Sequence, residues 1–194
     1  MKIWKKINKG LLLTIIVLIV LIIYLKGVEK QREADKTAIK TSCEEYINLI
    51  DNLMVLPEDM QNLSEENEQK IQDNINNELK KVMIENEDAI ELQSQYVLEI
   101  VKQSNDNKII TNCKKNIDKI SKYEFDGDQV VVKFSSNLET SYKHVNTETN
   151  EEEEKQNIQS TSGDEITLQK VDGKWKIVYS YLDYYQNSSD LYLY

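Results

Sequence analysis

A single proline, Pro57, and five glycines in 194 residues exclude collagenous and proline-rich chains, and 40% hydrophobic residues exclude a wholly disordered one. Histidine occurs once, at His144, so a metal site needing two histidines and an HExxH zinc helix are both ruled out. The glycines are scattered, which leaves no phosphate-binding loop and no Gly-x-Ser-x-Gly nucleophile elbow. Arg32 is the only arginine among many lysines, asparagines and isoleucines, the composition of an AT-rich bacterial genome. Acidic residues are missing from Met1 to Lys26 although the net charge is −10. With the five lysines of that stretch set aside, 19 basic residues stand against 34 acidic ones, a balance of −15. Phosphate binding needs a basic face, so nucleic acid is not an expected partner.

What is present begins with an uncharged run of sixteen residues, Gly10 to Leu25, broken only by the hydroxyls of Thr14 and Tyr24. As a helix it spans roughly 24 Å, and snorkelling Lys9 and Lys26 with interfacial Trp4 and Tyr24 extend it enough to cross a bilayer. A cleaved signal peptide is the rival reading. It requires small residues before the cut, and Leu25-Lys26-Gly27 has no Ala-x-Ala pattern. A lipoprotein needs a cysteine just past the run, and the first is Cys43. An uncleaved signal anchor is therefore expected: 1–9 as a cytoplasmic tail, 10–26 as the transmembrane helix, 27–185 as an extracellular domain and 186–194 as a tyrosine-rich tail. Lysine and arginine counts on the two sides do not decide orientation. Long domains translocate largely regardless of charge, which favours the outside and leaves the cytoplasmic alternative open.

Beyond the anchor, Ile39, Cys43, Tyr46, Ile47, Ile50, Leu53 and Met54 fall on one helical face, with Lys40, Glu44, Glu45, Asn48 and Asp51 mostly between them. This helix is expected to continue from the membrane span near Glu29 and to stop before Pro57. Ser64 followed by Glu65 and Glu66 is an N-cap for a second helix, with the stripe Ile71, Ile75, Leu79, Val82 and Met83. Ala89 to Val101 reads as a third.

After Asn105 the period becomes two, and Asp-Gly appears at 126–127 and 172–173, the residues of a two-residue type I′ hairpin turn. In the first hairpin Phe125 is expected opposite Asp128 and Tyr123 opposite Val130, with Tyr123, Phe125, Val130, Val132 and Phe134 on one face. In the second, Lys170 is expected opposite Trp175 and Leu168 opposite Ile177, so that Ile166, Leu168, Trp175, Ile177 and Tyr179 share a face. Each hairpin has one apolar side. The expected fold class is α+β: an N-terminal transmembrane helix, then amphipathic helices on one face of a curved antiparallel sheet. Between the hairpins, 146–163 with its four glutamates at 151–154 reads as a solvated tip, or else as a site for a cation or a basic partner.

Cys43 and Cys113 allow two readings. A disulfide would close a seventy-residue loop and contribute about 4 kcal/mol in the chain-entropy model, whereas buried free thiols are common in cores. Six of eleven tyrosines lie in the last sixteen residues. Those past Asp183, namely Tyr184, Tyr185, Tyr192 and Tyr194, exceed what a core requires. They read as a partner contact or as a tail packed on itself.

The segments ISKYEFDGDQVVVKF, Ile120 to Phe134, and DEITLQKVDGKWKIVYSY, Asp164 to Tyr181, follow the helices as a meander ending in a Trp-bearing strand. This arrangement, over roughly residues 36 to 183, resembles the nuclear transport factor 2-like superfamily. The resemblance implies a curved sheet wrapping a helix as an open cone. Signal-anchored bacterial members include assembly factors of type IV secretion and conjugation machines, whose layout is similar. Enzymes of that superfamily use carboxylates, His or Tyr inside the cone, which makes Tyr46, Tyr96, Tyr123 and His144 the polar candidates here. None has a motif around it, so no catalytic residue, metal or cofactor is expected. Lys9-Gly10 before an apolar run also resembles a type IV prepilin, whose glutamate five residues past the glycine is here Ile15. The leading expectation is a non-enzymatic membrane protein that binds envelope proteins or itself. Its rivals are a ligand-binding or acid–base domain using the cone pocket and a pilin-like subunit.

Overall fold

The computed structural model describes residues 9–106, 108–145 and 152–184. The chain divides into two compact units, Met1–Lys40 and Thr41–Tyr194. Helix α1, Lys9–Met54, begins in the first. From Leu12 to Leu25 its described large apolar side chains are 44% to 67% exposed, and the Thr14 hydroxyl donates to the Gly10 carbonyl at 3.0 Å, so even the polar group within the run is satisfied locally. Among the described residues this is the one helix long and apolar enough to cross a membrane.

In the second unit α1 buries Cys43, Tyr46, Ile47, Ile50, Leu53 and Met54, and it ends three residues before Pro57, which excludes the α conformation from its predecessor. Helix α2, Glu65–Val82, starts at Ser64, whose hydroxyl accepts from the Asn67 N–H, and its Ile71, Ile75 and Leu79 are buried as the stripe predicts. Helix α3, Glu87–Ser104, is capped by Asn86 accepting from the Ala89 N–H at 3.0 Å. Four strands follow: β1 Ile109–Asp126, β2 Gln129–Val145, β3 Glu152–Val171 and β4 Lys174–Tyr181. They form one antiparallel sheet in chain order. Helices lie on its inner face, where Ser42 donates to the Trp175 carbonyl at 3.1 Å and the Ile84 N–H to the Ile177 carbonyl at 2.9 Å. The fold is the α+β arrangement that the periodicity predicts.

The second hairpin follows its turn chemistry. Asp172 and Gly173 both have positive φ, 49° and 78°, and Lys170 pairs with Trp175 and Leu168 with Ile177. The first turn corrects the expectation. Its central residues are Gly127 and Asp128, of which only Gly127 has positive φ (57°), the type II′ arrangement, and Phe125 pairs with Val130 instead of Asp128. A slip of two residues leaves every side chain on its face. Val130, Val132 and Phe134 are buried, while Tyr123 and Phe125 are half-buried and stacked at 6.3 Å.

Five register shifts interrupt the sheet, and three of them decide which residues reach the core. Opposite Thr167 and Leu168 lie Tyr179 and Ile177, which leaves Val178 as the extra residue of a bulge. Tyr179 is consequently 41% exposed and Ser180 buried, so Tyr179 does not share the face of Trp175. Phe134 pairs with Asp164 but Ser136 with Thr161, and this offset at Ser162-Gly163 aims both Thr161 and Asp164 inward. Around Thr111 a third shift buries both Ile110 and Cys113. The expected solvated tip is also much shorter than 146–163. Glu152 to Gly163 belongs to β3, with His144 opposite Glu153 and Lys143 opposite Glu154, because Ser, Thr, Gln and Ile suit a strand solvated on one side.

Candidate functional site

The polar residues of the interior converge on Lys115, supplied by β1. Its side chain is fully buried, with Nζ 3.1 Å from Asp164 Oδ1, 3.4 Å from Thr161 Oγ1 and 2.6 Å from the Asp183 carbonyl, and 4.8 Å from the Tyr184 ring centre. Asp164 also accepts from the hydroxyls of Ser136 and Thr161 and, at 2.8 Å, from the Asp183 N–H. Across from the sheet, Asp51 of α1 accepts from the Lys115 N–H at 2.8 Å and from the Tyr184 hydroxyl at 2.7 Å. Burial raises the Asp51 carboxyl to about 6 against the pull of these donors, and pushes the Lys115 ammonium down against the pull of Asp164. The Tyr184 phenol is raised by burial and then by Asp51.

A second network lies beside it. Tyr46 and Ser180 share a hydrogen bond of 2.8 Å, Gln93 donates to Ser180 Oγ at 2.9 Å, and the Ser180 N–H donates to Gln93 Oε1 at 3.0 Å. Tyr96 bonds both the carbonyl and the N–H of Leu182. These groups hold the chain after β4 against the helices. Tyr46, with its phenol pushed up by burial, and Tyr96 therefore serve the packing that the resemblance would have made a pocket.

Cys43 and Cys113 are free and buried. Burial pushes the Cys43 thiol up to about 12, and the Cys113 thiol is raised by burial and by Asp51, 3.8 Å away, so neither is a reactive thiolate. Tyr184 is corrected from surface to core, being 1% exposed. Tyr185, Tyr192 and Tyr194 lie outside the described residues. Asp51, placed between the stripe positions in the sequence reading, belongs to the stripe: it stands four residues after Ile47 and three before Met54, a spacing that would have revealed it. Lys115 carried a similar signal, since it alternates with the half-buried Ile117 and buried Cys113.

His144 lies elsewhere, on the wall of a surface cleft of about 260 Å³ lined by Gln61, Asn105, Lys108, Ile109, Lys143 and Glu152. Its Nδ1 is buried without a hydrogen-bond partner among the described residues. Tyr123 is on the sheet near the first turn, far along β1 from this cleft. The four polar candidates thus do not form one site.

No protein-family model matches the chain, and no curated protein does. Among solved structures it is similar to the intermembrane space region of the chloroplast protein ARC6, at 16% identity and a TM-score of 0.31, over 58% of this chain and 85% of that one.

Proposed function

We propose that this is a single-pass membrane protein whose folded unit, residues 41–194, acts by binding other proteins on the outer side of a bacterial cell membrane, as part of an envelope assembly such as a secretion or conjugation machine. The observation that carries this reading is the saturation of the interior: Lys115, Asp164, Asp51, Ser136, Thr161 and Tyr184 hydrogen-bond to one another and to backbone, with the side chains of Lys115 and Asp164 fully buried. Groups so engaged are not presented to a substrate, which leaves the surface to do the work. The apolar segment of α1 supports a tethered protein, and tethering raises the effective concentration for partners in the same membrane. Helices followed by a meander of long strands support a nuclear transport factor 2-like fold. Protease added to intact protoplasts is expected to digest the unit, and crosslinking to capture envelope proteins. Full protection would overturn the topology, and an unaltered crosslink pattern after deletion of Gln186–Tyr194 would remove the tail from the contact.

A small-ligand reading has one observation in its favour, the unpartnered Nδ1 of His144 in the cleft. It predicts a compound whose thermal stabilisation of the chain disappears in His144→Phe.

A further inference from the structure

The two sides of the sheet differ in how they meet solvent. β1 is an edge strand whose register is broken at three places, and Lys114, Lys119 and Lys122 are exposed along it, features that discourage pairing with another chain. On the far side, β4 pairs with β3 only from Glu165 to Val171. The chain is then drawn off the edge, because Asp183 is held from both sides, by Asp164 through its N–H and by Lys115 through its carbonyl. From Glu152 to Asp164, therefore, no described strand lies along the outer edge of β3. This stretch runs in unbroken register with β2 from Glu152 to Thr161 and carries no charge from Gln156 to Gly163. At its centre Ile158 is 66% exposed, more than any other large apolar residue described in this unit.

We propose that this edge is a self-association site, through which two copies of the chain pair antiparallel about a twofold axis at Ile158 to give a continuous sheet. The sequence is self-complementary in this register. Ile158 meets its own copy, Asn157 faces Gln159, Gln156 faces Ser160 and Lys155 faces Thr161, so over 155–161, the part of the edge in unbroken register on both sides of the axis, no like charges stand directly opposite. In-register parallel pairing would set Glu152, Glu153 and Glu154 against themselves, and an antiparallel register centred on Glu153 would oppose Glu152 to Glu154. The acidic end of the strand thus selects the register while the neutral centre makes the contact. An isologous pair of this kind closes on itself instead of growing a filament.

The proposal deepens the protein-contact reading by naming a second copy of the chain as a partner, and its test uses the full chain in lipid nanodiscs or detergent. Under mild oxidation Ile158→Cys is expected to give a crosslinked dimer far more readily than Lys119→Cys on the other edge, with the native thiols buried and silent. In sedimentation equilibrium Ile158→Lys is expected to weaken dimerisation by about tenfold with an unchanged melting curve, since like charges would face each other across the axis. A monomeric chain at every concentration, equal crosslinking at both edges, or a dimer indifferent to Ile158→Lys would overturn it. So would dimers that form only once Gln186–Tyr194 is deleted, which would assign the edge to the chain's own tail. None of these outcomes alters the capture of other envelope proteins, which tests the broader reading separately.

Discussion

Along the inner face of the sheet two halves meet. Near the hairpin turns Val130, Val132, Phe134, Ile166, Leu168, Trp175 and Ile177 present an apolar surface, whereas farther along the same strands Lys115, Ser136, Thr161 and Asp164 take the inward positions, facing Asp51 and Tyr184. The apolar half is stabilised by area removed from water, which is tolerant of direction. Its polar counterpart is stable only while every donor meets its acceptor, because a buried charge without a partner costs far more than the pair contributes. Similar burial therefore hides opposite sensitivities to mutation.

The largest effect is expected from Lys115→Met, which leaves Asp164 buried without its cation and should cost about 3–5 kcal/mol in chemical denaturation of the full chain. Combining it with Asp164→Leu should restore only part of that loss, since the two charges leave together but Ser136, Thr161 and the Asp183 N–H lose their acceptor. A double variant no more stable than the single one would show that the pair is not the unit of stability. On the apolar side, Trp175→Ala should cost about 3–5 kcal/mol with no such rescue. An unchanged denaturation midpoint would place Trp175 outside the core.

Much of the apolar half was legible in the sequence, because two Asp-Gly turns and strict alternation fix which side chains share a face. Even the misplaced first turn did no harm, since its error was an even number of residues. Tyr179 was lost to the bulge at Val178, which reverses the alternation without any glycine or proline to announce it. Most of the polar half was illegible for a related reason. Thr161 and Asp164 stand three apart and share a face only through the offset at Ser162-Gly163, and Tyr184 meets Asp51 across 133 positions. Period-two reading assumes an unbroken pleat, and no local pattern reports a partner so remote.

A pH scan sharpens the comparison further. Burial holds Asp51 at about 6 instead of 3.8, so the folded chain keeps a proton that the unfolded chain has released. Its contribution is complete below the lower value and is lost as pH rises through the upper one, a loss of about 3 kcal/mol at most. Urea denaturation of the wild type and Asp51→Asn between these limits should diverge by that slope, with surface carboxylates cancelling in the difference. Parallel curves would mean that Asp51 titrates normally. The smallest effect is expected from Tyr184→Phe, which removes one donor to Asp51 and should cost about 2 kcal/mol by the same denaturation measurement. No change would assign the stabilisation of Asp51 to its other donors, the Lys115 N–H and the Cys113 thiol.

The crossing of residues 182–184 over the inner face also sets a timetable for biosynthesis. Asp51 leaves the ribosome long before Tyr184 and Asp183 exist, and at roughly 5–20 residues per second the 133 positions between Asp51 and Tyr184 take about 7 to 27 seconds. Until Asp183 emerges, Lys115 lacks its carbonyl and Asp164 its N–H, and the core cannot be sealed. The interior locks only when residues 182–184 have arrived, so a segment made near the end of the chain decides when the rest becomes fixed.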